Sequence, residues 1–271
     1  MLSSMLKLAH SPDADDAYMF FGIASGAVKL PVPHVEFLAD IETLNRLALE
    51  ELLDVTAVSV HAFGHICDRY FVLEVGASMG EGYGPVVVAG PGVDKPRHVA
   101  VPGRLTTAAL LVKLALPGVK TVELPFDRII DAVVAGVVDA GVLIHEGQIT
   151  YRRLGLRKLL DLGEWWTQET GLPTPLGIDV VRKALGRELA EKVAKALADS
   201  IAYADAHREE ALRYAQRFSR GLSLEETARF VDMYVNAYTR ALGARGRRAI
   251  EELLARAAEA GLTPSCTPQY V

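Results

Sequence analysis

The stretch LNRLALEELLDVTAVSVHAFGHI (residues 44–66) has a counterpart later in the chain, FDRIIDAVVAGVVDAGVLIHEGQI (residues 126–149). Each reads as an amphipathic helix, an aspartate, a short apolar strand and then a histidine, His61 or His145. A helix followed by a buried strand is the repeating part of an α/β sheet. The two stretches therefore predict two similar α/β lobes, although any βαβ unit shares this plan and the likeness alone leaves a single sheet open.

Strand and helix signals alternate over the first two thirds of the chain, from LKLAH near the N-terminus to the strand that ends at His145. From about Arg182 the pattern changes to long helices. Ser223 and Glu226 have the spacing of a capping box, and Gly261 lies where a helix is expected to end. This order predicts an α/β fold with largely parallel strand pairing and a helical C-terminal segment.

Two stretches rich in proline and glycine mark where the chain is expected to cross between lobes: VVVAGPGVDKP near residues 86–96 and TGLPTPLGID near 170–179. The smaller lobe is then an insertion of residues 90–174. The larger lobe is discontinuous, with residues 1–89 plus 175–271, and the helical C-terminal segment packs on it. Because two strands join the lobes, we expect them to close over a substrate cleft.

The composition excludes several classes of protein. The chain has 271 residues, is 50% hydrophobic and carries a net charge of -5, so no basic surface indicates a nucleic acid or an anionic membrane as partner. No apolar run has the length of a membrane span, and the N-terminus does not resemble a signal peptide, which predicts a cytoplasmic protein. Asparagine is rare and arginine outnumbers lysine, which favours a thermostable protein, although genome composition produces the same bias.

The two cysteines, Cys67 and Cys266, lack a CxxC pair or a nearby set of cysteine and histidine ligands. His61 and His65 are four residues apart but have no third ligand close by. We therefore predict no metal site. Two free thiols in a reducing compartment are the simpler expectation for the cysteines, and one long-range disulfide is the alternative.

The stretch HSPDADDAYMF (residues 10–20) places three aspartates within four positions. Such a cluster either binds a divalent cation or opens a helix. Asp13 and Asp16 share a helix face but Asp15 does not, so a metal site is the weaker interpretation. The turn after the first strand of an α/β lobe is also where ligands bind, and we therefore expect a substrate contact from Ser11, Asp13 or Asp16.

Two further turns favour ligand binding. In VPGRLTTAALL (residues 101–111) a strand ends at a Pro–Gly turn and a helix begins. The free N–H groups near Thr107 and Ala108 are therefore suited to a carboxylate, and the alternative is that they form only an ordinary helix cap.

The stretch GASMGEGYGP (residues 76–85) lacks the spacing of a nucleotide-binding loop. It predicts a tight loop that brings Ser78 near a small ligand.

The string VVDAGVLIHEGQ (residues 137–148) contains the strongest candidate for catalysis. His145, Glu146 and Gly147 follow abruptly after an apolar strand, at its carboxyl end, where α/β proteins bind ligands. Histidine is the side chain whose ordinary pKa suits proton abstraction near neutrality. His145 is therefore either a general base or a histidine that only caps the strand. The tryptophans of EWWTQETG either cover a planar ligand or pack in the core.

Several strings taken together resemble one known family. They are AHSPDADDAYMF, MGEGYGPVVVA, VPG with TTAALL, DAGVLIHEGQ, and a tryptophan followed by GLPTPLG. The combination spans essentially the whole chain and is similar to the 1,4-dihydroxy-6-naphthoate synthases of the futalosine route to menaquinone. The resemblance implies a two-lobed α/β fold like that of the type II periplasmic binding proteins.

The resemblance also implies an activity. The family consists of cofactor-independent carbon–carbon lyases that convert cyclic dehypoxanthinylfutalosine, a small molecule carrying a carboxylate, to 1,4-dihydroxy-6-naphthoate and dihydroxyacetone. The histidine of the family's IHE string, here His145, is the implied base, in agreement with the choice made from its position. The positions implied to hold polar groups of the substrate are Val55, Thr56, Ala57, Thr107 and Ala108.

Three other functions remain as alternatives. Chorismate dehydratase of the same pathway shares the fold and would act on a different substrate. A non-catalytic protein that binds small carboxylates would bind a ligand without forming product. A metal-dependent enzyme built on the aspartate cluster would lose its activity when the metal is chelated.

Overall fold

The computed structural model describes residues 5–145 and 147–271 of the protein. Eleven strands lie in this part of the chain. They are β1 (Leu6–His10), β2 (His34–Leu38), β3 (Val55–Ser59), β4 (Tyr70–Val72), β5 (Ser78–Gly80), β6 (Val86–Ala89), β7 (His98–Val101), β8 (Lys120–Glu123), β9 (Ala140–Leu143), β10 (Arg157–Asp161) and β11 (Thr174–Arg182).

Thirteen α-helices lie in the same part of the chain, with three short 3-10 helices at Phe126–Arg128, Tyr151–Leu154 and Lys183–Leu185. The α-helices are α1 (Ala14–Met19), α2 (Phe21–Ala24), α3 (Ile41–Leu49), α4 (Val60–Phe63), α5 (Thr107–Ala115), α6 (Ile129–Val134), α7 (Gly147–Thr150), α8 (Leu162–Thr170), α9 (Arg187–Ala206), α10 (Arg208–Gln216), α11 (Leu224–Tyr234), α12 (Ala237–Arg240) and α13 (Gly243–Glu259).

The strands form two separate mixed sheets. In the first, the order is β2-β1-β3-β11-β4, with β5 also paired to β11; β1 is parallel to β2 and β3, whereas β11 is antiparallel to its partners. In the second, the order is β10-β6-β9-β7-β8; β7 is parallel to β8 and β9, whereas β6 is antiparallel to its partners. The prediction of largely parallel pairing is therefore wrong, because β6 and β11 enter after the chain has crossed between sheets and run in the reverse direction.

The chain leaves the first sheet after β5 and returns to it with β11, so the second sheet is built from one continuous stretch. Strand β6 (Val86–Ala89) pairs within this second sheet, whereas the predicted boundary counted residues 86–89 with the larger lobe. The division into residues 1–89 plus 175–271 and residues 90–174 stays a prediction of domain organisation. The pairing of β6 shows only that the chain passes from the first sheet to the second before Val86.

The C-terminal helices pack on the side of the first sheet, as predicted. Helix α9 lies against α2, and α10 and α11 lie against α1. The approach of α9 to α2 is close, since a Cβ atom on Gly22 would lie 2.7 Å from the Cα atom of Ser200. The Ser200 hydroxyl donates a hydrogen bond to the carbonyl oxygen of Met19 (2.7 Å), which joins the two helical layers. Any larger side chain at position 22 would separate them.

A disulfide joins Cys67, after α4, to Cys266 in the C-terminal tail, with 6.0 Å between the two Cα atoms. The expectation of two free thiols is therefore wrong, and the long-range alternative is correct. Beyond this link, Tyr270 forms a parallel bridge with Val72, so the tail lies along the edge of β4. Within the described residues, the helices do not combine the length and apolar character that a membrane span needs.

Candidate active site

An open cleft lies where the two sheets face each other, and it encloses about 740 Å³ when the space at its mouth is counted. The carboxyl ends of β1, β3 and β9 reach it, together with the first turn of α5 and the middle of β11. Seven residues predicted from the sequence line this one cleft: Ser11, Asp13, Ala57, Ser78, Thr107, Ala108 and His145.

Two predicted substrate-binding residues lie elsewhere. Val55 and Thr56 are inside β3, with 2% and 0% of their surfaces exposed, and they do not line the cleft. The cleft begins at the carboxyl end of this strand, where Ala57 and Ser59 are its lining residues. A substrate-binding role for Val55 and Thr56 stays a prediction.

His145 follows β9 and reaches across the cleft from the second lobe, which is built on the second sheet, to the first lobe, which is built on the first sheet. Its Nδ1 atom lies 3.3 Å from Oδ2 of Asp13, and 17% of its side chain is exposed. The ring of Phe126 meets the imidazole edge to face, with 5.2 Å between centroids. His145 has a φ angle of 54°, a left-handed conformation that a histidine adopts at some energetic cost and that often occurs at functional sites. Glu146, which follows it in the sequence, is outside the described residues.

Asp13 is the partner of His145 and is itself held by two other groups. The hydroxyl of Ser11 donates a hydrogen bond to Oδ2 (2.6 Å), and Nη1 of Arg220 lies 2.5 Å from Oδ1. Burial alone would raise the pKa of Asp13, but its interactions with His145, Arg220 and the Ser11 hydroxyl outweigh burial and lower it. The carboxylate therefore stays ionised. When it accepts the Nδ1 hydrogen of His145, Nε2 is left as an acceptor toward the cleft.

The aspartate cluster begins helix α1, as predicted, but the cap differs from the usual one. Asp13 occupies the N-cap position and its side chain makes no capping hydrogen bond, because its oxygens contact Ser11, His145 and Arg220 instead. Asp16 accepts a hydrogen bond from the Ser11 backbone N–H (2.7 Å). Among the described residues, no three histidine, cysteine, aspartate or glutamate side chains are grouped so that they could hold a metal ion.

Asp15 and Asp16 also line the cleft, although Asp15 was expected to diverge from the other two. Burial, followed by the charges of Asp16 and Asp13, raises the pKa of Asp15 well above its usual value. Burial is also the main reason why the pKa of Asp16 is raised. The same short turn therefore holds one carboxyl whose pKa is lowered and two whose pKa values are raised.

The first turn of α5, in the second lobe, also lines the cleft. Thr106 caps this helix: its hydroxyl accepts from the Ala109 N–H (3.2 Å) and donates to the carbonyl oxygen of Gly103 (2.8 Å). The Thr107 hydroxyl donates to the carbonyl oxygen of Leu176 (2.7 Å), which ties α5 to β11. The positive end of the helix dipole faces the cleft at Thr107, an arrangement that favours a carboxylate.

Sequence reasoning missed several lining residues. Asp179 lies between apolar residues in the middle of β11, and a carboxylate at such a position was a usable signal. Tyr234 ends α11, and its hydroxyl donates to Oε1 of Gln148 on α7 (2.6 Å). Neither Tyr234 nor Phe230 had a local signal, because both look like ordinary core positions of an amphipathic helix. Trp166 is fully buried in the core, and its indole N–H donates to the carbonyl oxygen of Pro173.

The two sheets, the crossing strands and the cleft between them define the fold of the type II periplasmic binding proteins. The alkanesulfonate-binding protein SsuA from Xanthomonas axonopodis has this fold, with a TM-score of 0.71, 13% identity, and coverage of 96% of this chain and 94% of its own. A family model described as menaquinone biosynthesis matches residues 6–259. The chain belongs to that family, among relatives of the 1,4-dihydroxy-6-naphthoate synthase type.

Three relatives cover nearly the whole chain. The 1,4-dihydroxy-6-naphthoate synthase of Thermus thermophilus is 44% identical over 269 residues, covering 98% of this chain and 99% of the relative. The enzyme of the same name from Streptomyces coelicolor is 37% identical and covers 99% and 98%. A crystal structure of a protein from Archaeoglobus fulgidus has a TM-score of 0.91 and 46% identity, covering 97% of this chain and 100% of that one.

Proposed function

We propose that the protein is a carbon–carbon lyase that converts cyclic dehypoxanthinylfutalosine to 1,4-dihydroxy-6-naphthoate and dihydroxyacetone, with His145 as general base. The observation that carries this proposal is the contact of His145 with an ionised Asp13 at the wall of the cleft. The names of the relatives support the product. The biosynthetic role supports a cytoplasmic location. Intracellular proteins of hyperthermophiles also carry disulfides, so the disulfide between Cys67 and Cys266 is compatible with that location in a heat-tolerant protein.

In the proposed mechanism, Nε2 of His145 takes the proton of a substrate hydroxyl. The adjacent carbon–carbon bond then breaks in a retro-aldol sense, the hydroxyl carbon becomes the carbonyl of the released ketone, and the remaining ring becomes aromatic. Asp13 holds the imidazole in place and stabilises the imidazolium that forms. The reaction needs no redox step, because the atoms of the substrate are only divided between two products.

The first turn of α5 is the proposed site for the substrate carboxylate. Thr107 and Ala108 line the cleft there, and the helix N-terminus offers backbone N–H groups and a positive dipole end. Ser11 and Ser78 are polar neighbours on the other lobe. Closure of the lobes around the ligand would exclude water from the cleft while His145 stays in contact with Asp13.

His145→Ala tests the base. We expect kcat to fall by about 10²–10⁴-fold, the usual contribution of general base catalysis, with a much smaller change in KM. Product formation from cyclic dehypoxanthinylfutalosine is followed by absorbance and mass spectrometry. His98→Asn serves as a matched control, because His98 is half exposed and pairs with Asp139 outside the cleft. Turnover by the alanine variant at the parental rate would contradict the assignment.

The same assay separates the alternatives. A chorismate dehydratase would consume chorismate and not the futalosine derivative. A non-catalytic binding protein would bind a ligand without releasing product. A metal-dependent enzyme would lose its turnover when a chelator is added, whereas the proposed lyase keeps it.

A further inference from the structure

Asp179 is a buried carboxyl on the wall of the cleft that the proposed mechanism does not yet use. It lies on β11, opposite Ala57 of β3, and only 2% of its surface is exposed. Its Oδ2 atom has no hydrogen-bond partner among the described residues. Oδ2 also lies 2.1 Å from where a Cβ atom on residue 76 would be, so the glycine at that position, with a φ of +86°, makes room for the carboxyl group. The backbone is therefore shaped around this side chain.

The surroundings of Asp179 favour its neutral form. Among the described residues that line the cleft there is no lysine or arginine, and the charge acting on Asp179 comes from Asp16. Burial, followed by the charge of Asp16, raises the pKa of Asp179 well above its usual value. A neutral carboxyl has an O–H group that needs an acceptor, and an unpaired buried donor is costly. Asp179 lines the cleft, so an oxygen atom of a bound ligand would supply that acceptor.

We propose that Asp179 is a second catalytic residue: its neutral carboxyl donates its hydrogen to the substrate oxygen on which negative charge develops as the carbon–carbon bond breaks. This inference rests on the proposed function. His145 comes from the second lobe and Asp179 from the first, so a ligand between the lobes would lie between a base and an acid. Asp13, which holds the base His145, and Asp179 have pKa values shifted in opposite directions, so two carboxyl groups of one site are suited to different roles.

The proton balance of the step is closed. His145 takes the hydroxyl proton, and the electron pair of the breaking bond moves into the neighbouring carbonyl group, whose oxygen becomes an enolate. Asp179 gives its proton to that oxygen, which becomes a phenol hydroxyl of the aromatic product. His145 then releases its proton to water and Asp179 takes one from water, so the enzyme returns to its starting state without a redox change.

Asp179→Asn in the full-length chain tests the donor. Asparagine has nearly the same shape and still donates an N–H hydrogen bond, but it does not release a proton. We expect kcat to fall by about 10²–10⁴-fold while KM changes far less. The matched control is Asp54→Asn. Asp54 is also buried at the same sheet, but it accepts a hydrogen bond from the Lys7 N–H and pairs with Arg182 outside the cleft. A kcat of the Asp179 variant within about threefold of the parent would overturn the proposal.

A measurement without turnover separates this inference from the proposed function. Infrared difference spectra between the parent and Asp179→Asn should show a carboxylic-acid C=O band at neutral pH that only the parent has. Absence of that band would mean that Asp179 is ionised, and the proposal would be wrong whatever the substrate is. If the band is present but the parent does not convert cyclic dehypoxanthinylfutalosine, the lyase assignment and the donor role in this reaction both fail, while the neutral state of Asp179 stands.

Discussion

Asp13 and Asp179 line the same cleft, and their surroundings favour opposite charge states. Asp13 lies between the His145 imidazole and the Arg220 guanidinium, and its contacts with them keep its carboxylate ionised in spite of burial. Asp179 is buried with only the negative charge of Asp16 acting on it. Because both residues are aspartates, the difference in pKa comes from the groups that surround each carboxyl.

This contrast predicts opposite effects of pH on stability for one substitution at two positions. The unfolded chain titrates both groups near 3.8. The lowered pKa of Asp13 stabilises the fold above that pH, and this contribution is lost as pH falls through the folded pKa. Asp13→Asn should therefore cost about 1–3 kcal/mol at neutral pH and much less near pH 2.

The raised pKa of Asp179 acts in the other direction. Its contribution to stability is present below pH 3.8 and is lost as the pH rises, since the unfolded chain gains by ionising. Asp179→Asn should raise Tm by at least about 2 °C at pH 7 and leave it unchanged near pH 3. Calorimetry measures the Tm of both variants and of the parent between pH 2 and pH 8. If the change in Tm depended on pH in the same way for Asp13→Asn and Asp179→Asn, both predictions would be contradicted.

Among the elements, helix α5 has the most direct connection to the ligand. Its cap, Thr106, precedes two lining residues, and Thr107 is also tied to β11 through Leu176. Glu42 of α3 accepts a hydrogen bond from the Leu105 N–H (3.0 Å), which fixes the turn from the other lobe. The position of the proposed carboxylate site thus depends on contacts that cross between the lobes.

Removing the cap tests this dependence. Thr106→Ala should lower the free energy of unfolding by about 1 kcal/mol, the usual worth of a helix cap, and weaken substrate binding because the first turn loosens. Thr106→Ser keeps the hydroxyl and should restore most of both losses. Denaturant unfolding and KM provide the two readouts. An alanine variant with parental KM and stability would show that the turn is held without its cap.

At the scale of the whole molecule, the two lobes are joined by contacts across the cleft as well as by the chain. Arg46 of α3 pairs with Glu123 of β8, and Arg153 pairs with Glu226 of α11. Three of these four side chains are well exposed and only Glu226 is mostly covered, so each pair contributes little on its own. The disulfide has a larger expected effect, because Cys67 and Cys266 are 199 residues apart.

Loss of the disulfide should lower stability without removing activity. Closing so long a loop restricts the unfolded chain, and Cys67→Ser with Cys266→Ser should cost about 2–4 kcal/mol. Both cysteines lie outside the cleft, so kcat at low temperature should stay near the parental value. Thermal unfolding with and without reductant measures the loss. Two free thiols in the denatured, unreduced protein would contradict the link.

The sequence predicted the parts of the fold that depend on local patterns. The strands at LKLAH and VTAVS, the helix after Thr106 and the placing of His145 at a strand end all follow from periodicity and turn residues. The disulfide and the inward orientation of Asp15 did not follow, because they depend on how distant segments pack. Tyr234 was missed for the same reason, since its partner Gln148 is 86 residues away.

The contact of His145 with Asp13 makes the site depend on how the two sheets are placed. One member of the pair follows a strand of the second sheet and the other follows a strand of the first. A substitution far from the cleft that shifts one sheet against the other would therefore separate the pair while leaving both residues in the sequence.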